Sequence, residues 1–213
     1  MITITNLTKK FEDRVLFSNT NLVFETGKVY ALIGASGSGK TTLLNILAKL
    51  ESYDEGDILY NDRPLESIKS NQFFRDELGY LFQNFGLLDS QTIQENLDLG
   101  LIGQKLSKAE KTALQKEVLK QVNLDYLELD QKIFALSGGE AQRVALAKII
   151  LKDPPLILAD EPTAALDPDS SAEIMSMVLG LRNENRIIII ATHNPIIWNL
   201  ADEIIKVHDI SNV

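Results

Sequence analysis

Residues 34–42 read Gly34-Ala35-Ser36-Gly37-Ser38-Gly39-Lys40-Thr41-Thr42. A glycine, four further residues and then Gly-Lys-Thr is the spacing of a phosphate-binding loop, and here it lies between an apolar run and a helical one. The glycines let successive backbone amides turn toward phosphate oxygens without a Cβ clash. The N-terminus of the following helix adds partial positive charge. Lys40 has the reach for β- and γ-phosphates, and the Thr41 hydroxyl suits a Mg²⁺ ligand. A Gly/Ser-rich turn is the ordinary competitor, but the strand–loop–helix context favours nucleotide binding.

A second constellation is Leu156-Ile157-Leu158-Ala159-Asp160-Glu161. A hydrophobic strand here delivers two adjacent carboxylates at its C-terminal end, where open α/β sheets bind ligands. Alternation along a strand predicts that the two point apart and take separate tasks. Asp160 would hold Mg²⁺ through water, and Glu161 would polarise an attacking water as general base. Taken alone, a strand ending in Asp-Glu also reads as a solvated edge; the loop upstream favours the catalytic pair. The third constellation is Ser137-Gly138-Gly139-Glu140, ahead of the strong helix formers Ala141–Ala147. Ser137 and Glu140 have capping-box spacing. The two glycines are not needed for a cap, and they leave the helix end bare enough for an anion. One chain thus carries two phosphate-seeking helix ends.

These groups need a scaffold. Ile2, Ile4 and Leu7, then Val15–Phe17, then Asn21–Glu25 read as short strands with turn-formers such as Glu12-Asp13 and Thr26-Gly27 between them. Val29–Ile33, Leu156–Ala159 and Ile187–Ala191 are continuously apolar, as expected of parallel strands buried on both faces. Leu43, Leu44, Ile46, Leu47 and Leu50 give a helical pattern after the phosphate loop, and strands resume at Asp57–Tyr60 and Leu78–Phe82. Thr92 with Glu95 and Ser107 with Glu110 are further capping boxes, the second opening a helix with Leu114, Val118 and Val122 at helical spacing. Residues 84–137 read as a helical insertion, or as a plain helical cover on the sheet. Asp167-Pro168 opens a helix through Ile174, Met177, Val178 and Leu181, and Ile204–Val207 is the last expected strand. The alternation predicts the α/β class with a parallel sheet.

Composition excludes several chemistries. The 213 residues contain no cysteine, which removes disulfide scaffolds, thiol nucleophiles and thiolate metal sites. A net charge of −9 gives no overall attraction for nucleic acid, and no nucleic-acid partner is expected. No apolar run approaches the roughly 20 residues of a membrane span. The N-terminus alternates like a strand, without the apolar core of a signal peptide. The expectation is a cytoplasmic chain that meets a membrane only through a partner.

With these motifs in place, the chain resembles the ATP-binding cassette (ABC) family over essentially its whole length. Leu136–Glu140 followed by Ala141-Gln142-Arg143 matches that family's signature motif, which is far more specific than the phosphate loop. The resemblance implies a single cassette over 1–213: a P-loop NTPase with a RecA-like mixed-sheet core and an N-terminal antiparallel β-subdomain (1–83 and 138–213). A helical subdomain would be inserted at about 84–137. It implies ATP and Mg²⁺ as ligands. Phe11, 23 residues before Gly34, falls where an aromatic ring stacks on adenine. Gln83 matches the residue that contacts Mg²⁺ and the lytic water, and His193 the histidine that contacts the γ-phosphate. Ser137, Gly138, Gly139 and Glu140, with Asp167 in Ala165-Leu166-Asp167, match elements that complete the ATP site of a second subunit in a head-to-tail dimer. Read singly, Phe11 is equally a core residue, Gln83 a strand cap, His193 a loop histidine and Asp167 an N-cap. Their order and spacing along one chain tie them together. Asn194 stands where many members have Asp, Ala164-Ala165 where relatives often have Gly-Asn, and Lys148 where Arg is common; none of these removes a catalytic group.

What the resemblance implies about work is an ATPase subunit that powers an integral-membrane permease on a separate chain, docked to the inner face of the membrane. The Gln83–Leu88 stretch, with exposed-looking Phe85 and Leu87, would receive a permease helix. Ala159–Thr163 and the compact length are similar to the exporter group serving lipoprotein release, macrolide efflux and peptide or bacteriocin export. Lys132-Ile133-Phe134-Ala135, which lacks Pro-x-Gln, leans toward the peptide and bacteriocin branch. A soluble regulatory cassette is the alternative, although such members usually carry two cassettes. Chromosome-associated ATPases place a long coiled coil between their nucleotide motifs, whereas 120 residues without sustained heptads separate Lys40 from Asp160.

Overall fold

The computed structural model describes residues 1–12, 14–164 and 166–207. Asp13 of the expected first turn and Ala165 of the 165–167 segment lie outside them. The chain divides into two compact units, one built from Met1–Leu78, Pro155–Glu161 and the residues from Arg182 onward, the other from Gly79–Pro154 and Pro162–Leu181.

The first unit contains an antiparallel sheet of β1 (Ile2–Phe11), β2 (Arg14–Phe24), β4 (Glu55–Tyr60) and β5 (Arg63–Pro64), in the order β2-β1-β4-β5. Val15–Phe17 and Asn21–Phe24 are one strand rather than two. Irregular register against β1 absorbs the polar residues between them, and Glu25 lies beyond its end. The parallel strands are β3 (Val29–Ile33), β7 (Leu156–Asp160), β8 (Ile187–Ala191) and β9 (Glu203–Lys206). Within this unit they run in the order β7-β8-β3-β9. Every residue of β7 and β8 is buried, as their unbroken apolar runs require. Helix α1 (Lys40–Leu47) follows β3 and buries Leu43, Leu44, Ile46 and Leu47; Leu50 lies past its end and is exposed. The short α2 (Ser70–Gln72) and, after β8, α7 (Pro195–Trp198) complete this unit, and β6 (Leu78–Leu81) starts at its Leu78 and continues into the second unit's segment.

The second unit is helical: α3 (Ile93–Asp98), α4 (Lys108–Gln121), α5 (Gly138–Lys152) and α6 (Pro168–Gly180). Ile93, Leu97, Val118, Leu119, Val122, Leu124, Ile133, Val144 and Ala147 form its core. All three expected capping boxes are made, at Thr92, Ser107 and Ser137, and Asp167 caps α6 with Pro168 at its first position. The inward stripe of α4 differs from the expected one. Leu114 is exposed and its neighbour Gln115 is buried, donating to Gln94 O at 3.3 Å and Asp98 Oδ1 at 3.0 Å. Two acceptors on α3 satisfy the Nε2 of Gln115, while its Oε1 is buried without a hydrogen-bond partner among the described residues. Among the described residues no helix is long and apolar enough to cross a membrane.

Candidate nucleotide site

The register of the parallel strands brings distant residues to one edge. Asp160 pairs with Ala191, and Leu32 pairs with Ala191 from the other side. Three chain exits therefore leave the sheet at one level: the phosphate loop after β3, Glu161 after β7, and Thr192-His193 after β8. Glu161 N donates to Ala191 O at 2.9 Å and Thr192 N to Leu32 O at 3.1 Å, extending the ladder by one residue at each exit.

The loop is shaped by what glycine permits. Gly39, the residue before α1, has φ +105°, and a Cβ there would come within 2.9 Å of Phe17 Cζ. No side chain caps the N-terminus of α1 and no acid occupies its first turn, so its amides keep their capacity for an anion. Lys40, buried, donates from Nζ to Gly34 O at 2.9 Å and Ala35 O at 3.3 Å, lying within the loop it would share with phosphate. Ser38 Oγ is buried without a hydrogen-bond partner among the described residues. An unoccupied donor, a folded-back ammonium and an uncapped helix end fit a triphosphate.

Hard-oxygen donors lie beside it. Thr41 Oγ1 donates to Asp160 Oδ1 at 3.0 Å. Burial pushes the Asp160 carboxyl above its usual range; the Thr41 hydrogen bond pulls it down, Glu161 adds to the rise and Lys40 opposes it. Among the described residues no group of three or more His, Asp or Glu side chains could hold a metal. Thr41 and Asp160 fit Mg²⁺, which keeps waters and takes other ligands from substrate phosphates.

Glu161 does not continue β7, contrary to the alternation expected of two neighbours on one strand. Its φ is +45°, a left-handed conformation that a non-glycine residue holds only when surroundings impose it. This kink, rather than the pleat, separates it from Asp160. Its Oε2 lies 2.8 Å from His193 Nδ1, and Oε1 lies 3.9 Å from Lys40 Nζ. An ionised carboxylate only accepts, so the Nδ1–H of His193 donates.

Phe11 ends β1 and is 45% exposed. It pairs with Arg14, whose Nη2 donates to Gly37 O at 2.7 Å, tying the end of the hairpin to the phosphate loop. Arg14 is invisible to motif spacing, and nothing in the sequence signals that contact.

The remaining expected residues lie in the helical unit. Gln83 is exposed just after β6. Ser137 and Gly138 are exposed and Gly139 and Glu140 half-buried at the start of α5. That end is less bare than its glycines suggest: Ser137 N and Oγ donate to Glu140 Oε2 at 2.8 and 2.6 Å, and Tyr126 OH donates to Glu140 Oε1 at 2.9 Å. Asp167 Oδ1 accepts from Asp169 N and Ser170 N. Phe85 and Leu87 are half-buried rather than exposed, and Leu87 packs on the helical core.

Residues 17–164 match the protein family described as ABC transporter. The chain belongs to that family. This ABC cassette is 36% identical to the lipoprotein-releasing system ATP-binding protein LolD of Buchnera aphidicola, over 98% of its own length and 95% of that protein's. It is 33% identical to the macrolide export ATP-binding/permease protein MacB of Campylobacter jejuni over 98% of itself, yet spans only 33% of that protein. Among solved structures it is similar to the dimeric post-hydrolysis state of the ATP-binding cassette MJ0796 bound to ADP and Pi. The TM-score is 0.86 at 31% identity, covering 98% of this chain and 95% of that one. The cassette is an ATPase of the ABC type.

Proposed function

We propose that this ABC ATPase powers export by a permease carried on a separate polypeptide at the inner face of the membrane. Its cargo class would be a peptide or bacteriocin, a lipophilic compound or a lipoprotein. The similarity to LolD and MacB supports that class. The segment at about 84–137 serves as the helical subdomain, and the Gln83–Leu88 stretch contacts the permease.

The residue roles follow the site chemistry. Phe11 receives the adenine ring, residues 34–42 the phosphates, and Lys40 leaves its own loop carbonyls for β- and γ-oxygens. Thr41 and Asp160 would hold Mg²⁺, which when bound neutralises phosphate charge. Glu161 takes a proton from water as the water oxygen bonds to the γ-phosphorus. The bond to the β–γ bridging oxygen breaks, and ADP and phosphate result. His193 orients Glu161 and contacts the γ-phosphate. Ser137, Gly138, Gly139, Glu140 and Asp167 complete the site of a second copy in an ATP-dependent head-to-tail homodimer.

The carrying observation is the Glu161 carboxylate held between Lys40 and His193 at the exit of β7. The Glu161→Gln variant tests it. ATP binding persists, turnover stops and light scattering in ATP detects a stable dimer; a variant that still hydrolyses ATP at the parent rate removes Glu161 from the role of base.

A further inference from the structure

Lys9 and Phe11 are two residues apart on β1 and share a face of the strand. The Lys9 side chain is only 7% exposed. Its Nζ lies 2.7 Å from Glu51 Oε1 and 4.5 Å from the centroid of the Phe11 ring. A buried ammonium needs compensation, and here a carboxylate and a π-face supply it together. The ring is left with a substantial exposed surface.

Glu51 is not an arbitrary partner. Its backbone N–H, like that of Leu50, donates to Asn45 O in the last turn of α1. The opposite end of α1 begins at the phosphate loop. Phe11 is joined to that loop a second time through its strand neighbour Arg14 and Gly37. The aromatic ring is thus fastened to both ends of the helix that follows the phosphate loop, through Lys9–Glu51 at one end and Arg14–Gly37 at the other.

We infer that Lys9 is a positioning residue for nucleotide recognition: pinned by Glu51, its ammonium covers one face of Phe11, fixes the ring and leaves the other face as the platform for the base. The inference rests on the reading that Phe11 receives the base. A cation on the covered face also draws π-density toward itself, which favours stacking of an electron-rich purine on the free face. Lys9 touches neither base nor phosphate and acts only through the ring.

The test uses the full chain with two probes, ATP and inorganic tripolyphosphate, which shares the phosphates but has no base. Calorimetry gives Kd for the parent, Lys9→Met, Lys9→Arg, Phe11→Ala and the Lys9→Met/Phe11→Ala double variant. Lys9→Met weakens ATP about threefold to tenfold and leaves tripolyphosphate unchanged, with Lys9→Arg restoring most of the loss. In the Phe11→Ala background Lys9→Met has no further effect. Equal weakening of both probes means that Lys9 only supports the fold and overturns the inference, as does an unaltered ATP affinity while Phe11→Ala weakens it. If Phe11→Ala leaves ATP affinity unchanged, the base-platform reading itself fails, and the inference with it. Should Lys9→Met not fold, Glu51→Gln releases the ammonium from its charged partner; it must weaken ATP without weakening tripolyphosphate, and any other pattern overturns the inference.

Discussion

The Glu161 carboxylate bridges two residues that are 153 positions apart, 2.8 Å from His193 Nδ1 on one oxygen and 3.9 Å from Lys40 Nζ on the other. His193 is 72% exposed on its side chain, whereas Lys40 and Glu161 are largely covered. The imidazole is therefore the open end of the bridge, and ligand can reach it without displacing buried groups.

Removing that end should disable chemistry more than binding. His193→Ala is expected to lower kcat by about 100-fold to 1,000-fold, the range for loss of one donor to the charge developing in the transition state, with little change in ATP Kd. Single-turnover hydrolysis set beside equilibrium binding checks it. Equal losses in both would place His193 in ground-state binding.

Asp160 carries a cost that the proposed cation role would explain. Its carboxyl is raised chiefly by burial, so the folded state holds the proton more tightly than the unfolded chain does. Without a cation, stability therefore falls as pH rises above the ordinary carboxylate range and through the raised folded value. Asp160→Asn should raise Tm of the nucleotide-free protein at neutral pH and lower Mg²⁺ affinity in the ATP complex about 10- to 100-fold. Thermal melts and Mg²⁺ titrations of ATPase activity measure the two effects. A lowered Tm at undiminished Mg²⁺ affinity would contradict both.

Ser137 caps α5, and the role proposed for it in a second copy's site is separable from that one. As the cap of α5, its replacement by Ala should cost about 1 kcal/mol in denaturant unfolding. A bulky replacement, Ser137→Leu, should in addition suppress ATPase while leaving monomer ATP affinity intact, as the proposal that this serine completes a second copy's site requires. Ser137 hydrogen bonds hold Glu140 below the ordinary carboxylate range, so this cap supports the fold above that range and weakens as pH falls through the depressed folded value. Full activity of Ser137→Leu would show that the site is not shared.

Lys148 links two parts of the helical unit. Its Nζ donates to Gly86 O at 2.7 Å, and burial, with Lys152 nearby, pulls the ammonium down to about 8. A lowered folded value for a base means that the charged form is penalised in the native state. Stability should then rise between about pH 8 and the ordinary lysine value, by on the order of 3 kcal/mol at most. Lys148→Met should flatten that rise in urea unfolding measured across the window. A slope unchanged by the substitution would show that Lys148 titrates as an exposed lysine.

The sequence alone determined whatever depends on neighbours within a few positions. The phosphate loop, the three capping boxes, the Asp167-Pro168 helix start and the apolar strands before Gly34, Asp160 and Thr192 are local patterns. The caps close over two or three residues and the strands show as unbroken apolar runs, so spacing and local composition specify them. Tertiary structure decided what depends on strand order and register: Glu161 between Lys40 and His193, Lys9 under Phe11, Arg14 on Gly37, Gln115 rather than Leu114 turned inward, and Leu87 drawn onto the helical core. Strand alternation could not foresee the kink at Glu161, because a left-handed residue is held by the adjoining strand through Ala191 O and by nothing in its own segment's composition. A partner tens of residues away leaves no periodic trace in a sequence; only the packed chain brings it within bonding distance.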